Sequence, residues 1–191
     1  MQRGPALGPR HVPVMSAKDP APQIAEGEER LAAGDLNGAI VAFERAVAVA
    51  SSSAVAHSKL GVCYVHAQRL DEAAASFSRA IQLDPTYAPA YSNLGNIYRE
   101  RGQLDQAVAH YQKAISMDPD YWIAHQNLGI VYKQQGRVAE AVREFKTATR
   151  LSLRAPASGR PASARVDAGR RMGCLGSASV ILLGIILARL R

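Results

Sequence analysis

Cysteine is scarce. Cys63 and Cys174 are the only two, they stand in unlike contexts, and neither has a neighbour at metal-ligand spacing. That pattern excludes a disulfide framework and fits a reducing compartment. A CxxC pair, a glycine-rich phosphate loop and a Ser–His–Asp set are also missing. No catalytic residue, cofactor, metal or small-molecule substrate is therefore expected. Residues 1–21 lack the apolar run of a secretory signal. Pro5, Pro9, Pro13 and Pro20 would break the amphipathic helix of a transit peptide. Residues 1–19 read as a disordered leader. Net charge is missing from most of the chain too. Eight arginines and a single acid, Asp167, lie from Arg150 onward and account for the whole formal charge of +7. Residues 1–149 balance, so the basic character is not a nucleic-acid patch on a folded part.

What is present is periodicity. Leu-Gly recurs at Leu60-Gly61, Leu94-Gly95 and Leu128-Gly129, a step of 34 residues each time. Aligning 54–87, 88–121 and 122–155 puts His57, Tyr91 and His125 at the fourth position. Tyr64, Tyr98 and Tyr132 share the eleventh, and Gln68, Gly102 and Gly136 the fifteenth. Ala73, Ala107 and Ala141 share the twentieth, Phe77, Tyr111 and Phe145 the twenty-fourth, and Ala80, Ala114 and Ala148 the twenty-seventh. Positions four, seven, eight and eleven fall on one face of a helix; positions twenty, twenty-four and twenty-seven fall on one face of a second. Gly102 and Gly136 suit the left-handed residue that closes a helix. Pro85 and Pro119 end the second helix. Each unit is thus helix, tight turn, helix. One such pair cannot bury its apolar face alone, whereas stacked pairs can.

These residues resemble the tetratricopeptide repeat, a helix–turn–helix unit of the same length. The resemblance implies an all-α, right-handed superhelical solenoid of antiparallel helix pairs. Its structural signature here is Gly61, Tyr64, Ala73, Gly95, Tyr98, Ala107, Gly129, Tyr132 and Ala141. Extending the frame backward to 20–53 places Gly34, Ala39, Phe43 and Ala46 correctly, but Glu26 and Arg30 stand where large apolar residues belong. That stretch reads as a degenerate N-terminal unit with one polar face. The array is expected over 20–153. His57 and His125 occupy a position where the family has a large ring, and core packing is expected of them rather than metal binding.

In such an array the first helix of each pair lines a concave groove, through the second, fifth, sixth, ninth and thirteenth positions. Candidate peptide contacts are Lys59, Asn93, Asn96 and Asn127. An asparagine amide carries both a donor and an acceptor, which suits gripping a peptide backbone. The phrase SNLGNIYRERG is also similar to the repeats of O-linked N-acetylglucosamine transferase, whose groove carries an asparagine ladder. That likeness implies contacts from Asn93 and Asn127, with Lys59 a departure. The fifth position reads Ser58, Ser92 and Gln126, so the lysine of the carboxylate clamp in chaperone-binding relatives is missing. The expected partner is a protein or an extended peptide.

After Leu151 the repeat step is lost. Residues 154–171, rich in Arg, Ala, Pro and Ser, read as a flexible linker. Met172 to Ala188 then form a run of 17 uncharged residues bracketed by arginines. As a helix it spans roughly 25 Å, against about 30 Å for a bilayer core. Three readings stand: a membrane tail anchor, an apolar cap on the array, or the terminus of a shortened variant of a longer array. The expected location is cytoplasmic, or cytosol-facing if anchored.

Overall fold

The computed structural model describes residues 19–154. They form eight helices and, among the described residues, no strand: α1 (Ala21–Ala32), α2 (Leu36–Val49), α3 (Ala54–His66), α4 (Leu70–Leu83), α5 (Ala88–Glu100), α6 (Leu104–Met117), α7 (Trp122–Gln134) and α8 (Val138–Arg154). Apart from the edge residues Asp19 and Arg154, the expected leader and linker lie outside the described residues, as does the whole apolar run 172–188. Both edge residues belong with the array. The Ala21 amide donates to Asp19 Oδ1 at 2.9 Å, which satisfies an amide at the start of α1. Arg154 ends α8, which has 17 residues where α2, α4 and α6 have 14. Ser152-Leu153 replaces the Asp-Pro pair that stops α4 and α6, so nothing halts the last helix at the usual place.

The turn inside each pair is the same four times. Gly34, Gly102 and Gly136 have φ of 81°, 74° and 77°, and Gln68 is held at 60°. The following amide then returns to the carbonyl five residues back: Asp35 to Arg30, Arg69 to Tyr64, Gln103 to Tyr98 and Arg137 to Tyr132, at 2.8–2.9 Å. That bond closes the helix end and reverses the chain. Gln68 adopts the conformation without being a glycine, because the flanking helices leave the chain no other exit.

Packing within each pair rests on a ring against a glycine. A Cβ at Gly27, Gly61 or Gly95 would come within 2.7 Å of Phe43, Phe77 and Tyr111 respectively, and one at Gly129 within 2.8 Å of Phe145. Gly27 completes this contact in the degenerate unit, so 20–53 forms a full hairpin despite Glu26 and Arg30. Those two pair with each other at 2.9 Å, and Arg30 also reaches Asp35 at 3.1 Å. The ion pairs occupy the positions that are apolar in later units, where a preceding hairpin has to be met.

Successive pairs are joined by contacts that repeat with the array. His57 Nε2 and His125 Nε2 each lie 3.1 Å from a carbonyl oxygen six residues back, those of Ser51 and Pro119, and the Tyr91 hydroxyl donates to the Pro85 carbonyl at 3.2 Å. The fourth position therefore ties down the connection to the preceding pair besides packing. Tyr64 and Tyr132 are buried as expected and bond to Glu44 and Gln112 of the preceding unit. Arg69 and Arg137 lie over their rings. Tyr98 departs from this and is only half-buried. Its equivalent partners are Ser78, too short to reach, and Gln103, which has no guanidinium to stack. It stacks on His110 instead, ring centroids 4.9 Å apart, and packs against both apolar clusters it separates. Helices α1, α3, α5 and α7 touch one another in chain order, whereas α2, α4, α6 and α8 do not touch each other. The odd-numbered helices thus form the closed inner side of a solenoid.

The two kinds of glycine should respond differently to alanine. Gly102 has open space at its Cβ, so Gly102→Ala should cost only the left-handed penalty, about 1–2 kcal/mol. Gln68→Gly should recover about 1 kcal/mol. Gly95→Ala must displace a fully buried ring and should cost about 1–3 kcal/mol with a change in the tyrosine near-UV signal, which Gly102→Ala should spare. Urea titration ranks them; Gln68→Gly no more stable than the parent would refute the turn argument.

Candidate functional site

The inner side carries a regular coupling between neighbouring helices. The sixth position of each unit faces the ninth position of the unit before. Lys59 Nζ lies 2.6 Å from Glu28 Oε1, and Asn127 Nδ2 donates to Asn96 Oδ1 at 3.1 Å. The residue that stands at the ninth position before Asn93 is Val62, which carries no hydrogen-bonding group. The four expected contacts are therefore brought to one side of the solenoid, on the inner helices α3, α5 and α7, but they are not alike.

Lys59 is closed by its ion pair. Both partners are more than a third exposed, so the pair contributes under about 1 kcal/mol of stability. Its larger effect is to neutralise the one lysine expected to reach a ligand. Asn93 keeps its full amide. Asn96 is more constrained, because its Oδ1 also accepts from the Tyr111 hydroxyl at 2.7 Å. Two donors thus converge on one carbonyl oxygen, leaving Asn96 with its amide hydrogens and Asn127 with its carbonyl oxygen. Glu28 and Tyr111 were not anticipated. The sequence carried one signal for Tyr111: the same position is Phe43, Phe77 and Phe145 in the other units, so the hydroxyl is peculiar to the unit that has an asparagine at its ninth position.

The fifth position is a correction. Ser58 and Ser92 are 4% and 1% exposed and belong to the core, while Gln126 is exposed. Small side chains there allow neighbouring inner helices to approach, so the fifth position does not line the groove as a series. Around the polar strip stand Val55, Pro89 and Ile123 at the second position and the exposed His66, Glu100 and Gln134 at the thirteenth. The surface combines apolar contact with amide hydrogen bonding.

Other candidate chemistry is answered by burial. Cys63 is fully buried and burial pushes its thiol up to about 11, so it stays a protonated, enclosed thiol at neutral pH. His125 is buried between the Glu144 carboxylate, 2.7 Å from Nδ1, and the Pro119 carbonyl. Among the described residues no three His, Cys, Asp or Glu side chains gather as a metal site. No described helix is long and apolar enough to cross a membrane. At the far end, Val142 and Leu153 of α8 are exposed around Phe145, on the face that α3, α5 and α7 cover in the preceding pairs.

Profiles described as tetratricopeptide repeat match residues 24–88, 76–109 and 124–153, and one described as TPR repeat matches 95–136. No curated protein matches the chain. A crystal structure of MamA is 31% identical over 72% of this chain and 80% of that one, with a TM-score of 0.61. Pseudomonas aeruginosa pilF is 25% identical over 70% of this chain and 61% of its own, with a TM-score of 0.65. MamA from Desulfovibrio magneticus RS-1, solved from residue 41 onward, is similar in fold, at 24% identity and a TM-score of 0.59.

Burial of Cys63 can be read directly. With Cys174 replaced by serine, the folded chain should leave a thiol reagent unreacted at neutral pH and react only as urea unfolds it. Rapid labelling without denaturant would show that α3 does not hold the thiol inside.

Proposed function

The chain belongs to the tetratricopeptide repeat family, and on that premise we propose that it is a non-catalytic protein-interaction scaffold whose inner groove holds an extended segment of a partner protein. One observation carries this reading: the side-chain amides Asn93, Asn96 and Asn127 line up on α5 and α7. An extended backbone offers alternating N–H and C=O groups at about 3.3 Å per residue. Amides are the side chains that answer both. The likeness of SNLGNIYRERG to O-linked N-acetylglucosamine transferase repeats supports the same use of these residues, as an asparagine ladder. Lys59, held by Glu28, marks where that ladder ends.

A tether through 172–188 is the second element of this reading. It is supported by the 17 uncharged residues, and by Arg171 and Arg189 at their ends, which suit headgroup contact. In the alternative, the same groove belongs to a soluble scaffold or to a shortened relative of a longer glycosyltransferase-type array. The sparse cysteine supports a cytosol-facing location as part of this reading.

Peptides selected from a random library against the full chain provide the test of the groove. The double variant Asn93→Ala, Asn127→Ala should fold normally and bind them more weakly by about 1–3 kcal/mol, at about 0.5–1.5 per lost hydrogen bond. Unchanged affinity would remove the ladder. The tether is tested separately: the full chain should stay in the membrane pellet after alkaline carbonate and be freed by deleting 172–191. Recovery of the full chain in the supernatant would favour the soluble alternative.

A further inference from the structure

Tyr111 stands apart from its counterparts. Its ring does what Phe43, Phe77 and Phe145 do, lying on a glycine of the paired helix. Its hydroxyl does something the phenylalanines cannot, crossing from α6 to bond a residue on the groove side of α5. The side chain as a whole is fully buried. The oxygen it meets, Asn96 Oδ1, is the one that also receives Asn127 Nδ2 from α7. The other units have Glu28, Val62 and Ile130 at the Asn96 position. The matched pair of tyrosine and asparagine thus occurs in one unit of the array, next to the asparagine of the following unit.

We propose that Tyr111 is a positioning residue of the groove, its hydroxyl fixing Asn96 and, through Asn96, Asn127, so that this rung presents one set orientation of donor and acceptor to an extended peptide backbone. The inference rests on the peptide-groove reading given above. Its physical content is that an unrestrained amide turns over, exchanging donor and acceptor. With two donors on Asn96 Oδ1, the Asn96 carbonyl is committed inward and its Nδ2 hydrogens remain for a peptide carbonyl. Asn127, committed through Nδ2, keeps Oδ1 for a peptide N–H. Two adjacent helices then offer a donor and an acceptor in fixed order, which suits one strand direction better than the other. Asn93, preceded by Val62 at the matching position, has no such restraint and accepts either. Burial pushes the Tyr111 hydroxyl up to about 12, so at neutral pH it remains a donor.

The test is Tyr111→Phe in the full chain. This change reproduces what the other three units carry, so the ring contact with Gly95 and the fold should survive, and Asn96→Ala, which keeps the ring contact but leaves the Tyr111 hydroxyl without its acceptor, is the second variant. The probe is acetyl-hexaglycine amide, which is all backbone, followed by side-chain amide resonances of nitrogen-15-labelled protein. Tyr111→Phe should move the Asn96 and Asn127 side-chain signals while leaving that of Asn93 in place, and should weaken the probe about three- to tenfold, the worth of one hydrogen bond. Asn96→Ala should weaken it at least as much. A merely structural role for the hydroxyl would change the unfolding midpoint and leave the affinity alone. Equal affinity in Tyr111→Phe and Asn96→Ala, with Asn93→Ala weakened, overturns the positioning role and keeps the groove. Equal affinity in all three, or no binding by the unaltered chain, overturns the groove reading and the positioning role with it.

Discussion

The contact on which this architecture depends is an aromatic ring lying on a bare backbone. Phe43, Phe77, Tyr111 and Phe145 each occupy the space a methyl group would fill on Gly27, Gly61, Gly95 and Gly129. The first three of these rings are fully buried. Removing a side chain of that size from water contributes about 1.5–3 kcal/mol, and four such contacts set the spacing of four hairpins. Alanines at 39, 73, 107 and 141 sit beside them for the same reason, since close approach excludes anything larger. The glycine is needed for its missing side chain in the helix and for its backbone freedom in the turn, and the two uses fall seven residues apart in each unit except where Gln68 stands.

Once the hairpins have a common spacing, any side chain reaching from one to the next recurs with the array. The fourth position meets a carbonyl in the preceding connection, the sixth meets the ninth at Lys59 and Asn127, and the eleventh meets the twenty-fifth at Tyr64 and Tyr132. A further pair, Arg101 with Asp71 and Gln135 with Asp105, repeats the same step. The geometry is fixed by packing and the chemistry at each site is then free to vary. That freedom is what turns a structural array into a binding surface. The same register holds an ion pair at Lys59–Glu28, an open amide at Asn93 and a locked pair at Asn127–Asn96. Three equivalent places thus have three different capacities to meet a partner. The N-terminal unit shows the same division: its ring and glycine are kept, and only the face without a preceding hairpin is changed to Glu26 and Arg30.

The sequence by itself determined the helix pairs, their turns and their stacking, because those follow from spacing along one chain. A 34-residue step, apolar residues three and four apart, and glycine or proline at the ends leave little choice of local structure. It also placed Asn93, Asn96, Asn127 and Lys59 on one side. Only the tertiary structure decided what those side chains are free to do. Glu28 closes Lys59 from 31 residues away, Tyr111 reaches Asn96 from the paired helix, and Ser58 and Ser92 turn inward although a helical wheel puts them beside the groove. Burial and hydrogen bonding depend on which atoms of distant segments meet at a few ångströms. The repeat period fixes which positions meet, and it does not fix whether the residues that meet there satisfy one another or remain open to a partner.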